Sequence, residues 1–352
     1  MLKIFFISGK QGGGPWELFK NLSKKLSQRF NFSCEHHFSL KKWFLLHFQN
    51  HKNDIIVSSV PFLWRPKCQK FILNIHENFR KEQGFSSPRK ILAHWYPKNM
   101  RFADEIIFPS KWLANEISSS KNVVIYNLID EIISQKNISK NSQKNEFFTI
   151  TSFHFWEKWR GILEIIENLE KMQKSYIFHI FGDGKFREKV KKNLPKMHFG
   201  TIFWHGFLPK KKIFELMAQN SIFVYASNLD VIPMGILEAM QQHVPVCIKK
   251  IPQFQEFFEN EILFQNDEDF VKIINEIQKK PEKNFSNNFE KFWWRKNFKC
   301  VEKSFLGKFF KNFSNNFERK FGNWVNNWQK INIQKYRFGG ENLRKISANH
   351  SP

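Results

Sequence analysis

SIFVYASNLDVIPMGILEAMQQHVPVCI, residues 221–248, reads as strand, polar loop, helix and strand, with a carboxylate on either side of the helix start. The apolar run Ile222 to Tyr225 is strand-like, Pro233 suits the first helical position, and Gly235 lets a ligand come close to the backbone. The pattern predicts a helix reaching about Gln242. Its first N–H groups lack intrahelical partners and carry the positive end of the dipole, so a phosphate can dock there without a basic side chain. Asp230 lies in the loop before that point, and Glu238 lies one turn inside on about the same face as Met234. Two acceptors around an anion site suit the vicinal hydroxyls of a sugar or ribose. A second apolar run, Val244 to Ile248, closes a right-handed strand, helix, strand unit, whose ligands bind at the carboxyl ends of the strands.

This segment resembles the signature of glycosyltransferase family 4 (glycosyl transferases group 1), retaining nucleotide-sugar enzymes of GT-B fold whose donor loop carries two Glu separated by seven residues. Asp230 and Glu238 hold those places, and PMGILEAM with Pro245-Val246 follows the family's run. Asp for the first Glu and His243 for the usual Gly depart from it. The resemblance implies that Asp230 contacts the transferred sugar, that Glu238 holds the nucleotide ribose, and that the amides of Met234, Gly235 and Ile236 meet sugar and diphosphate. Without the resemblance, an amphipathic helix with two solvated acids explains the same residues.

Outward to the start of the chain, LKIFFIS followed by GKQGGGPWELFKNLSKKL is strand, glycine-rich turn and helix. Gly12, Gly13 and Gly14 let backbone amides approach a diphosphate, but the spaced glycines of a dinucleotide fingerprint and the lysine of a P-loop are missing. The family has a Gly-Gly turn here, which makes Gly13 and Gly14 candidates for contact with donor phosphate or acceptor. KNDIIVSSV (52–60), KFILNIHENF (70–79), ADEIIFPS (103–110) and NVVIYNLID (122–130) each hold a short apolar run ended by polar residues, as buried parallel strands do. His76 with Glu77 resembles the family's His-acid step at the active-site edge, where an imidazole can donate to a sugar or phosphate oxygen. Ser110, Asn127 and Asp130 match family landmarks of architectural kind.

QKNISKNSQKNE (135–146) is polar and aperiodic, the mark of a linker that permits hinge closure. Beyond it, FFTITSFHFWEKWRGILEIIENLEKM predicts strand, turn and amphipathic helix. In the family this turn carries an Arg and a Lys that clamp the diphosphate. Arg160, before Gly161, takes the Lys place, His154 falls near the Arg place, and Lys158 is a further cation for the same role. YIFHIFGDGKFREKV (176–190) reads as a strand ending at Gly182-Asp183-Gly184, and the segment 202–227 resembles the one that passes the nucleotide base, giving Gly206 and Phe207 as base-site candidates. Asp267-Glu268-Asp269 looks like a metal-binding triplet, but it opens an amphipathic helix, where capping and the dipole explain the acids. No catalytic metal and no cofactor are expected, the nucleotide sugar being a substrate. KNFSNNFE occurs at 283–290 and again at 311–318; the first copy leads into a stretch that resembles the family's closing helix, and the second belongs to a basic aromatic tail.

The 352 residues suffice for two domains with separate cores. A net charge of +24 would point to nucleic acid or anionic membrane, yet abundant Phe, Lys, Asn and Ile are what an AT-rich genome produces, and no zinc spacing, basic zipper or RNA-recognition signature accompanies the charge. WELFKNLSKKLSQRF (16–30) and the Lys41, Lys42, Trp43, Phe44 cluster could rest on anionic headgroups beside a lipid-linked acceptor, or pack an apolar stripe inward as ordinary surface helices. Cys34, Cys68, Cys247 and Cys300 are too scattered for a metal pair or disulfide framework, which fits a reducing cytoplasm. No stretch reaches the length of a membrane span.

The expected architecture is α/β: two Rossmann-like domains facing a cleft (GT-B), at 1–134 and 147–281, joined by the 135–146 linker, with a closing helix at 282–306 and a tail at 307–352 as a C-terminal helical extension. The expected activity is that of a metal-independent retaining hexosyltransferase in cell-envelope polysaccharide, lipopolysaccharide or glycolipid synthesis. Its partners would be a nucleotide sugar and a glycan or lipid-linked acceptor, with His76, Asp230 and Arg160 at the reacting centre. A sugar-nucleotide epimerase, a basic nucleic-acid or membrane binding protein, and a degenerate homologue remain the alternatives.

Overall fold

The computed structural model describes residues 3–9, 14–30, 33–37, 39–82, 87–127, 145–154, 156–217, 221–242 and 244–279. The N-terminal lobe contains β1 (Lys3–Ile7), α1 (Gly14–Phe30), β2 (Ser33–His37), α2 (Leu40–Phe48), β3 (His51–Ser58), β4 (Cys68–Asn74), α3 (Phe79–Glu82), α4 (Ser87–Phe102), β5 (Glu105–Phe108), α5 (Lys111–Ile117) and β6 (Asn122–Val124). The C-terminal lobe contains β7 (Glu146–Ile150), α6 (Trp156–Lys171), β8 (Tyr176–Phe181), α7 (Arg187–Lys192), β9 (Gly200–Gly206), α8 (Lys210–Met217), β10 (Ile222–Tyr225), α9 (Met234–Gln241), β11 (Val246–Lys249), a 3-10 turn at Asn260–Ile262, β12 (Leu263–Phe264) and α10 (Asp267–Lys279).

The strands form two six-stranded sheets, ordered β2-β1-β3-β4-β5-β6 and β12-β11-β10-β7-β8-β9, and every pairing is parallel. Parallel strands need crossover helices, and these cover the faces, so central strands read as continuous apolar runs. Ile55 to Val57, Phe71 to Leu73 and Phe223 to Val224 are accordingly buried. In the C-terminal lobe Ile162, Ile165, Ile166 and Leu169 of α6 meet Phe270 and Ile274 of α10 in one core with Phe178 and Val224. Each such side chain contributes roughly 1.5–3 kcal/mol on burial. Near its start α6 runs hard against the end of β10: a Cβ on Gly161 would lie 1.6 Å from the Ala226 carbonyl oxygen, so the helix can lie there only with glycine.

Several boundaries differ from the sequence reading. β2, SCEHH, has no apolar period and was not expected; it is a half-buried strand that pairs, among the described residues, with β1 alone, from Lys3↔Ser33 to Ile7↔His37. β11 starts at Val246 rather than Val244, because the Val244 N–H bonds back to the Ala239 carbonyl and finishes α9. Pro233 sits at the N-cap rather than one residue later. β7 begins at Glu146, the last residue of the expected linker. The rest of that linker from 135 to 144, the closing helix at 282–306 and the tail at 307–352 lie outside the described residues.

One carboxylate joins the lobes. Glu256 accepts from the backbone N–H groups of Lys111 at 2.9 Å and Trp112 at 2.8 Å, at the N-terminus of α5, and from the Tyr126 hydroxyl at 2.8 Å. The Tyr126 ring meets Phe257 edge-on at 5.4 Å.

Candidate functional site

The loop between β10 and α9 carries Asp230, and neither acid of the motif is solvated. Asp230 Oδ1 is 2.7 Å from the Lys158 ammonium, the two side chains being 17% and 14% exposed, and Oδ2 accepts from the Tyr225 hydroxyl. Burial and the neighbouring carboxylate push the Tyr225 phenol well above its usual range, so it stays a donor. The buried Gln253 amide donates to the carbonyls of Asn228 at 3.2 Å and Asp230 at 3.3 Å, pinning the loop. Glu238 is 5% exposed and its Oε1 takes the ammonium of Lys210, at the start of α8. A carboxylate this deep is tolerated only when paired.

At the head of α9 no side chain caps the helix; Pro233 offers none, and the first turn is closed by Ile236 N–H to the Pro233 carbonyl at 3.2 Å. Met234 and Gly235 are half-buried and Ile236 is buried. A Cβ on Gly235 would make ordinary 3.5 Å contacts with Ile150 and Phe223, so internal packing does not demand glycine there. The helix head, which begins shortly after Asp230 in the chain, therefore presents amide N–H groups, and such a helix end can receive an anion.

The remaining candidates of this lobe lie on other elements. Lys158, in the first turn of α6, is the cation brought to Asp230. Arg160 is exposed and lines a 470 Å³ cavity with Trp159, Glu164, Ser227, Asn228 and Lys249, where Lys249 and Glu164 pair at 2.7 Å. His154 is exposed on the turn before α6. Gly206 ends β9 at φ +68, a left-handed conformation suited to glycine, and its carbonyl accepts from Gly182 N–H at 2.7 Å. Phe207 is 82% exposed. His243 lies outside the described residues. At the head of α10 Asn266 is the cap, its Oδ1 accepting from Asp269 N–H at 2.8 Å, and of the triplet Asp269 reaches back, its Oδ2 accepting from Gln265 N–H at 3.2 Å.

In the N-terminal lobe, His76 follows β4 at the carboxyl edge of the sheet. Its Nε2 is buried with no hydrogen-bond partner among the described residues, and burial lowers its pKa to about 4, against a smaller opposing effect of Glu77. Both amide atoms of Asn74 are likewise buried and unpartnered among the described residues. Phe19 stands edge-on to His76 at 6.4 Å and also meets His36, which stacks on Trp16 at 3.9 Å and lies 3.2 Å from the Ser8 hydroxyl. Buried polar atoms lacking partners at one sheet edge are groups that a ligand can satisfy. Gly14 opens α1 with open space where a Cβ would be, and Gly13 lies outside the described residues.

Sequence reasoning missed Lys210, Tyr225, Gln253, Trp16 and His36. Lys210 in LPKKK and Tyr225 at a strand end carried a readable chemistry, but only the fold pairs them with Glu238 and Asp230.

Residues 130–292 match the family model described as glycosyl transferases group 1. An O-antigen biosynthesis glycosyltransferase, WclY of Escherichia coli, is 25% identical over 256 residues, covering 68% of this chain and 71% of the relative. Among solved structures, the S. aureus TarM complex with UDP superposes with TM-score 0.51 at 18% identity over 81% of this chain; the chain spans 57% of TarM's length. Anabaena HepE in complex with UDP-glucose gives TM-score 0.55 at 18% identity, covering 92% of this chain and 99% of HepE. By its two parallel six-stranded sheets and these likenesses, the chain is an α/β protein of GT-B type whose residues 130–292 match the glycosyl transferases group 1 family.

Proposed function

We propose that this protein is a retaining glycosyltransferase that moves a hexose from a nucleoside-diphosphate sugar to a glycan or lipid-linked acceptor in cell-envelope polysaccharide synthesis at the cytoplasmic face of the membrane. The observation that carries the reading is the uncapped head of α9 set between two partnered acids, Asp230 with Lys158 and Glu238 with Lys210. The diphosphate would take the α9 amides, with Lys158 and Arg160 as its cations; charge growing on the leaving diphosphate is thereby stabilised by fixed dipoles and ammonium or guanidinium groups. These cations occupy the role a divalent ion plays in metal-dependent transferases, and the reading is metal-independent. Asp230 would accept from sugar hydroxyls, Glu238 from the ribose, and neutral His76 would meet the sugar from the other lobe. Support comes from WclY, named for O-antigen biosynthesis, and from the TarM and HepE structures, which hold UDP and UDP-glucose. A lipid-linked acceptor would require contact with an anionic bilayer.

Melting temperature measured against UDP, GDP, ADP and their sugar conjugates tests the donor site. One nucleotide series should raise it, and Glu238→Ala should abolish the rise. A folded protein that responds to none would be a degenerate homologue or a binding protein. A nucleotide response with sugar isomerised, and no glycoside formed on any acceptor, would mean an epimerase.

A further inference from the structure

The described residues expose eight large apolar side chains beyond a third of their area, and the four in the N-terminal lobe, Phe44, Leu45, Phe48 and Trp64, lie on two neighbouring segments. Phe44 and Phe48 of α2 are one helical turn apart, with ring centroids at 4.9 Å, and Phe48 meets Trp64 edge-on at 5.6 Å. Trp64 belongs to the loop between β3 and β4, and its indole N–H reaches back to the His47 carbonyl at 3.4 Å. Phe48, Phe44 and Trp64 are 59%, 50% and 43% exposed, so three aromatic rings form one outward surface. Beneath it Leu46, His47 and Phe62 are buried, so α2 already has its inward face filled, and the exposed rings are surplus to the core.

The charge around this surface is predominantly basic, although Arg65 is paired with Asp104 at 2.9 Å and Lys70 with Glu105 at 2.8 Å. Between positions 36 and 76 the chain holds six bases, Lys41, Lys42, Lys52, Arg65, Lys67 and Lys70, against one acid, Asp54, which is engaged by His51 at 2.9 Å. Lys41, Lys52 and Lys67 are exposed. Phe48 lies just before β3, and Lys67 just before β4, with His51 N–H bonded to the Lys67 carbonyl at 2.7 Å. The surface thus flanks the amino ends of these strands, opposite the edge that carries His76.

We infer that this aromatic and basic face of α2 and the Trp64 loop is a docking surface for a bilayer with anionic headgroups. Aromatic rings with a polar rim belong at a membrane interface, and lysines beside them gain from the negative surface potential. An acidic protein would match the lysines but gives no role to three contiguous exposed aromatic rings. Docking here would leave the carboxyl edge of the sheet uncovered. The inference is independent of the donor-site reading.

The test is flotation of the full chain with vesicles of equal parts phosphatidylglycerol and phosphatidylcholine, or of phosphatidylcholine alone, across a salt series. Expected are binding to the anionic vesicles that weakens with salt, and little to the neutral ones. Lys41→Glu with Lys67→Glu, and separately Phe48→Ser with Trp64→Ser, should each weaken anionic binding by about tenfold or more. Melting temperature should stay at the wild-type value in the lysine pair and fall only slightly in the aromatic pair, where Trp64 gives up its long bond to the His47 carbonyl, and any nucleotide response should be retained in both. Absence of wild-type binding at low salt overturns the inference. So does binding that both pairs leave unchanged, which would place the contact elsewhere in the chain. A concentration-dependent dimer lost in the Phe48, Trp64 pair, without vesicle binding, overturns it in favour of a second copy as the occupant.

Discussion

The imidazoles of His76 and His36 are both held neutral by burial, each lowered to about 4, with neighbouring His37 adding to the effect at His36. In the unfolded chain an imidazole titrates near about 6.5. Between those values the unfolded state binds more protons than the folded one, so the contribution of each group to stability is present above about 6.5 and is lost as pH falls toward about 4. Melting temperature should therefore decline through that window, and His76→Gln should make the decline shallower; an unchanged slope in the variant would mean that His76 is not buried neutral. The places of His76, Asp230 and Glu238, after a strand end and around a helix start, were legible from sequence, and the family resemblance made them site candidates. Their partners were not legible. Lys210 lies 28 residues from Glu238, and only the return of β10 and α9 to the neighbourhood of α8 makes the pair. Gln253 gave no signal at all, since an amide bracing two loop carbonyls looks like any surface Gln in IPQFQEF.

Among the elements, α5 shows how a short helix depends on what meets its end. Ser110 caps it from within the lobe, accepting from Leu113 N–H at 3.0 Å, and Glu256 takes the Lys111 and Trp112 N–H groups from the other lobe. The N-terminal half-charge favours an acid there. Glu256→Ala should cost about 2 kcal/mol in chemical denaturation, from lost charged hydrogen bonds and an uncapped helix end, while Glu256→Gln should cost less. Equal stability of Glu256→Ala and wild type would show the contact to be idle. Strands with buried faces, such as Ile222–Tyr225, were read to the residue, whereas β2 escaped because a half-buried strand of SCEHH needs no apolar period when one neighbour supplies its hydrogen bonds. Ser110 was read as architectural, and it is a helix cap.

For the molecule as a whole, the two-lobed α/β plan was legible because alternating apolar runs and helical stretches leave few topologies once every crossover is right-handed. The order of strands within each sheet was not, since adjacent apolar runs do not state which neighbour they choose. A chain of net charge +24 repels itself, and at low ionic strength that repulsion is poorly screened. Raising salt from a few millimolar to physiological strength should lift the melting temperature; a fall would show that attractive ion pairs such as Lys70 with Glu105 outweigh the repulsion. The joint at Glu256 has a consequence for how the sequence can drift. Two of its three donors are main-chain N–H groups, which every residue except proline supplies, so those two bonds do not depend on which side chains stand at 111 and 112. The third is a hydroxyl on Tyr126. On the C-terminal side these bonds hang on one carboxylate: a single codon at 256 removes all three at once.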